Sequence, residues 1–142
     1  MDARGWIVVG ALMGAMGVGM GAYHAHGLKE KLQALGFTNQ AENDRDRLDV
    51  RFANFGTAVR YQMAHAPVLI LIGLLASRGR SRWLSVAGGL LLFGVIGFSG
   101  MLYAWSLGGP TFLVHIVPIG GMALILGWLA LAVAGFRVLR SE

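Results

Sequence analysis

Residues 6–23 read WIVVGALMGAMGVGMGAY, an uncharged apolar run close to the ~20 residues an α-helix needs to cross the ~30 Å hydrocarbon core of a bilayer. The run is long for the apolar region of a signal peptide, and no A-x-A cleavage pattern precedes His26, so it reads as a first transmembrane helix. Working outward, three more apolar segments follow. The whole chain then reads as an all-α integral membrane bundle of four transmembrane helices in one domain, over about residues 6–25, 44–76, 83–107 and 114–137.

The composition agrees. With 142 residues, 56% of them hydrophobic and 13% charged, and a mean hydropathy of +0.62, the chain lies outside the range of soluble domains. The net charge of +5 would suggest nucleic acid as a partner of a soluble protein, but here the basic residues gather at the ends of apolar segments. Membrane topology accounts for them, and no nucleic-acid partner is expected. There is no cysteine, which excludes disulfides, thiolate catalysis and sulfur-ligated metals.

Residues 28–51 form the polar stretch between helices one and two. Leu28, Leu32 and Leu35, followed by Gly36, predict a short amphipathic helix at the interface. Leu48, Phe52, Phe55 and Val59 carry a helical stripe straight into the second apolar segment, so helix two should project beyond the bilayer. Arg78, Arg80 and Arg82 occupy the turn after helix two, whereas the Gly-Gly-Pro turn at 108–110 has no charge. By the positive-inside rule both termini are expected in the cytoplasm, of the cell inner membrane or, in a eukaryote, on the matrix side of the mitochondrial one. The long first loop, with its own Lys and Arg, opposes this orientation.

Lipid is as apolar as leucine, so close approach of small residues holds such helices together. Gly10, Gly14, Gly17 and Gly21 alternate spacings of four and three and lead to His24; Gly120, Ala123, Gly127, Ala130 and Ala134 form a comparable seam in helix four. Packing within one bundle is the plain reading of these seams, and a homo-oligomer contact is the other.

The polar residues within membrane depth gather toward one side: His24 and His26 at the exit of helix one, Arg60, Tyr61, Gln62 and His65 in helix two, His115 at the entrance of helix four, with Tyr103 and Trp105 at the same level. His65 lies about 7 Å deeper than Arg60 at 1.5 Å per residue. Intramembrane Arg and His need partners, and they mark a candidate ligand-binding site formed by Arg60, Tyr61, Gln62, His65, His24 and His115. Pro67 would free the Met63 carbonyl beside His65. Against a site, Arg60 is near enough to the boundary to snorkel, and the aromatic residues suit an interfacial belt. No histidine pair has the i, i+4 ligand spacing, so no metal or other cofactor is expected. No acidic residue lies inside an apolar segment, which disfavours coupled transport. No nucleophile, base and orienting acid fall within reach of one another, so no catalytic activity is expected.

Four segments carry a family resemblance: GALMGAMGVGMGAYHAHGLK (10–29), FGTAVRYQMAHA (55–66), FSGMLYAWSLGG (98–109) and HIVPIGGMALILGWLALA (115–132). Together they resemble the transmembrane protein 256 family, small membrane proteins of unknown function from bacterial inner membranes and mitochondria. The helix-one exit departs from the family pattern at Tyr23-His24, where Phe-Gly or Phe-Ala stands, so His26 matches the family better than His24. The resemblance implies a four-helix membrane protein and no particular activity. The expected function is that of an accessory or scaffold subunit, packing with itself or with a larger membrane complex. The alternative is a binder of a small amphiphile, a quinone or lipid headgroup, in an outward-facing polar pocket.

Overall fold

The computed structural model describes residues 1–37, 42–79 and 81–138, without the side chains of 42–46 and 137–138. Arg80, assigned above to the turn after helix two, therefore lies outside the described residues. Among those described, four helical segments are long and apolar enough to cross a bilayer: Ala3–His26, Arg47–Arg78, Arg82–Ser106 and Phe112–Phe136.

Helix α1 (Ala3–His26) starts where the Asp2 carboxylate accepts the Gly5 N–H at 2.9 Å, satisfying one of the donors a helix N-terminus leaves free. At Gly27 the chain turns into the short α2 (Leu28–Ala34), whose Leu28 and Leu32 are fully buried. Burying a leucine side chain stabilises by roughly 1.5–3 kcal/mol, and these two dock α2 on Leu48, Phe55, Leu102 and Tyr103. The predicted amphipathic helix is therefore present. It ends in a Schellman motif: Gly36 takes φ +90°, its N–H bonds the Gln33 carbonyl at 3.0 Å, and the Phe37 N–H bonds the Leu32 carbonyl at 3.1 Å. Only glycine adopts that backbone at low cost.

Helix α3 (Glu42–Arg78) is 37 residues long and passes through Pro67 without interruption. Longer than a span requires, it carries the stripe of Leu48, Phe52 and Phe55 to meet α2 at the end of the bundle. The third span is not the single α-helix expected. Helix α4 (Arg82–Val95) and α5 (Met101–Ser106) are joined by a π segment, Ile96–Gly100. Nothing in the local hydropathy distinguishes a five-residue π turn from an α turn, so the sequence reading missed it. Helix α6 (Phe112–Val138) completes the bundle.

Helix α1 packs chiefly on α3, and α6 chiefly on α4, the π segment and α5, while α3 joins the two pairs. The seam glycines sit where expected. A Cβ on Gly10 would lie 2.8 Å from the Ala66 carbonyl oxygen, and one on Gly127 would lie 2.7 Å from the Leu91 side chain. Gly120 rests on the backbone of Gly97 and Phe98 in the π segment, where a Cβ would have no room. Gly17 faces Met63 and Gln62, while Gly14 and Gly21 meet Ala66 and Val59 at ordinary contact distance. Both seams are thus used inside the chain.

Candidate functional site

The α1–α3 seam positions two of the predicted site residues. Gln62 is buried, and its Nε2 donates to the Met13 carbonyl at 2.8 Å; a Cβ on Gly17 would lie 3.5 Å from that amide nitrogen. At the exit of α1, His24 stacks on Phe52 at 4.2 Å between ring centroids, and its Nε2 lies 3.1 Å from the Phe52 carbonyl. A carbonyl only accepts, so Nε2 carries the proton. The ring lies over Gly56, where a Cβ would approach it to 3.0 Å.

His65 is buried and joins different elements. Its Nε2 accepts the indole N–H of Trp128 at 3.1 Å, and its Nδ1 lies 2.6 Å from the Tyr61 carbonyl. An indole only donates and a carbonyl only accepts, so this histidine is neutral with its proton on Nδ1. Tyr61 in turn stacks on Phe98 of the π segment at 4.3 Å. The carbonyl used is that of Tyr61, not the Met63 carbonyl expected from Pro67, because the side chain of a helical residue reaches back over the preceding turn.

The rest of the predicted constellation does not assemble. Arg60 is exposed, and its Nη2 donates to Thr57 Oγ1 of its own helix at 2.8 Å. It reaches one turn back toward the helix end, as a snorkelling arginine does. His115 and His26 are exposed too. Among the described residues, neither the cleft at Arg51 nor the one at the opposite end is lined by Arg60, His65 or His115; His24 and His65 make helix–helix links and Arg60 points outward. No cluster of three or more metal-ligating side chains occurs among the described residues. A column of buried hydroxyls does occur: Ser99, Tyr103 and Ser106 have no protein partner for their oxygens among the described residues.

The cleft that does form lies at the α2 end of the bundle and was not anticipated. The α5 helix ends in a second Schellman motif, with Gly108 at φ +100°, its N–H on the Trp105 carbonyl at 3.1 Å and the Gly109 N–H on the Ala104 carbonyl at 3.0 Å. Arg51 Nη1 donates to that same Trp105 carbonyl. Its guanidinium lies 4.4 Å from the Phe37 ring centroid and 4.5 Å from that of Trp105. Cation–π attraction and the negative end of a helix dipole both favour the charge there. Phe37, Arg47, Val50, Arg51, Trp105 and Thr111 line a cleft of about 540 Å³. Arg51 had been counted among the loop charges. The usable signal was its place three residues after Leu48 and four before Phe55, on the edge of the buried stripe.

The family described as "Protein of unknown function (DUF423)" matches residues 20–121. The chain belongs to the DUF423 family. Every cleft residue falls within the DUF423 match, as do His24, Arg60, Gln62 and His65, whereas Trp128 lies beyond it. Relatives run the length of the chain. A UPF0382 membrane protein of Staphylococcus epidermidis is 39% identical over 93% of this chain and 95% of its own length. UPF0382 membrane protein YwdK of Bacillus subtilis is 32% identical over 94% and 98%, and a UPF0382 membrane protein of Haemophilus influenzae is 30% identical over 93% and 94%. No solved structure matches. The DUF423 assignment agrees with the transmembrane protein 256 resemblance, and with the four apolar helices it makes the chain a multi-pass membrane protein.

Proposed function

We infer that the protein is a non-catalytic accessory or scaffold subunit of the cell inner membrane, acting through lateral contact of α1 with a helix of a larger complex or of a second copy. One observation carries the reading. On the side of α1 away from its glycine seam, Ala11, Ala15, Gly19 and Ala22 are exposed at spacings of four, four and three, and a Cβ on Gly19 would meet nothing within 4 Å. Lipid places no premium on small side chains, but a helix partner does, because they let the backbones approach. The absence of catalysis is supported by the engagement of His24 and His65, the histidines nearest the interior, in helix–helix hydrogen bonds.

The test pairs two glycines on opposite faces. Gly19→Leu should leave thermal stability in mild detergent unchanged and remove the partner, or the second copy, seen by native mass measurement. Gly17→Leu, on the α3 side, should lower stability. A wild-type protein that migrates as a lone monomer from native membranes, with Gly19→Leu indistinguishable from it, would refute the association.

A further inference from the structure

Three spans end at the level of the Arg51 cleft. Arg47 opens the span Arg47–Arg78, Trp105 is the penultimate residue of Arg82–Ser106, and Thr111 immediately precedes Phe112–Phe136. That level is the boundary between hydrocarbon and water, where lipid headgroups lie. The cleft opens beside apolar surface, with Val50 half exposed on its wall and the exposed Phe112 following Thr111. Among the described residues that line it, the charge is of one sign, that of Arg47 and Arg51, with no carboxylate. The cleft at the opposite end, with Asp2 and Arg82 in its lining, is mixed.

The fixed posture of Arg51 has a chemical implication. Phe37 and Trp105 hold the guanidinium while one Nη1 hydrogen bonds the Trp105 carbonyl. A guanidinium has five N–H donors in a planar fork, so donors remain beyond that bond, and a fork held by its faces offers them in one plane. Phosphate oxygens suit that geometry. Trp105 Nε1–H, also at this end, has no protein acceptor among the described residues.

We propose that the cleft lined by Phe37, Arg47, Val50, Arg51, Trp105 and Thr111 is a headgroup site for an anionic phospholipid, with the phosphate held by Arg47 and Arg51 and the acyl chains running down the apolar exterior. Phosphate chemistry alone could also come from free inorganic phosphate, but the position at the hydrocarbon boundary and the apolar wall at Val50 favour the lipid. The site is separate from the α1 face proposed for association.

The full chain in mild detergent is incubated with phosphatidylglycerol or phosphatidylcholine, and retained lipid is read by native mass spectrometry. Wild type should retain phosphatidylglycerol at one per chain and much less phosphatidylcholine. Because Arg51 also ties α3 to α5, the decisive variants are on exposed residues. Arg47→Gln should reduce phosphatidylglycerol retention by about tenfold, the scale of one charge-assisted contact. Val50→Glu, which puts a carboxylate on the wall, should abolish retention, and both variants should melt as wild type. Equal retention of the two lipids, or phosphatidylglycerol unaffected by both substitutions, would overturn the proposal. Inorganic phosphate that stabilises the protein as well as phosphatidylglycerol does would overturn the lipid assignment.

Discussion

The indole N–H of Trp128 donates across 3.1 Å to Nε2 of His65, linking α6 to α3 within the apolar spans. Lipid supplies no substitute acceptor or donor, so each group depends on the other. Trp128→Phe should lower stability in detergent. The coupling in a double-mutant cycle with His65→Leu should be about 0.6 kcal/mol, the average for hydrogen bonds between membrane helices. Additive losses in reversible unfolding would show that the pair is not coupled.

The glycine positions should separate by the space around them. Gly120→Ala would drive a methyl group into the backbone of Phe98 and Gly97, and overpacking of this kind costs roughly 1–3 kcal/mol. Gly14→Ala, whose Cβ would sit 3.9 Å from Ala66, should be neutral or stabilising, by up to about 1 kcal/mol through reduced backbone entropy in the unfolded chain. Melting temperatures of the two variants in one detergent decide this, and equal melting would show that the α6 contact yields.

Two arginines of α3, Arg51 and Arg60, should behave oppositely. Among the described residues, Arg60 hydrogen bonds only Thr57 of its own helix, so Arg60→Ala should fold and melt within about 0.5 kcal/mol of wild type. Arg51 joins Phe37, Trp105 and the end of α5, and Arg51→Ala should cost about 1.5–3 kcal/mol, the range for hydrogen bonds to charged groups. Arg51→Lys should recover little of this, because an ammonium lacks the planar face. Chemical unfolding of the three variants is the measurement, and full recovery by lysine would reduce Arg51 to a point charge.

Arg78 and Arg82 lie at one end of the bundle with the start of α1 and the end of α6, and the positive-inside rule predicts that this end is cytoplasmic. An alkaline phosphatase fusion at residue 142 should be inactive and one in the 107–111 turn active, with the reverse for a cytoplasmic reporter. Activity at residue 142 would place the Arg51 cleft on the cytoplasmic side.

The spans were legible because hydropathy and length alone define them, and the α2 helix because its leucines keep helical spacing up to Gly36. The glycine seams were legible for the same reason: spacings of three and four name a face before its partner is known. The site was not. His65, Gln62 and His24 were picked out correctly as groups needing partners, but sequence spacing does not say that Trp128, Met13 and Phe52 supply them. Arg60 was open to two readings, a site residue or a snorkelling one, because spacing alone does not say which way a residue at the boundary turns, and one residue rotates a helix by about 100°. Arg51 was invisible as a site residue because its partners, Phe37 and Trp105, come from two separate helix endings.

The π segment bears on where that arginine finds its partners. Through α4 the buried positions run Leu84, Gly88, Leu91 and Val95, alternating four and three. Continued in the same rhythm, the inward positions would be Phe98, Leu102 and Trp105. Instead Ser99, Tyr103 and Ser106 are buried, with Leu102 beside them, and Trp105 is left partly open beside Arg51. The five-residue turn acts as a phase shifter, setting the rest of the span forward by one position. Regular α turns through Ile96–Gly100, with no residue removed, would turn Trp105 inward and take away one wall of the cleft, whereas removing one residue there would close the π turn and keep the present phase.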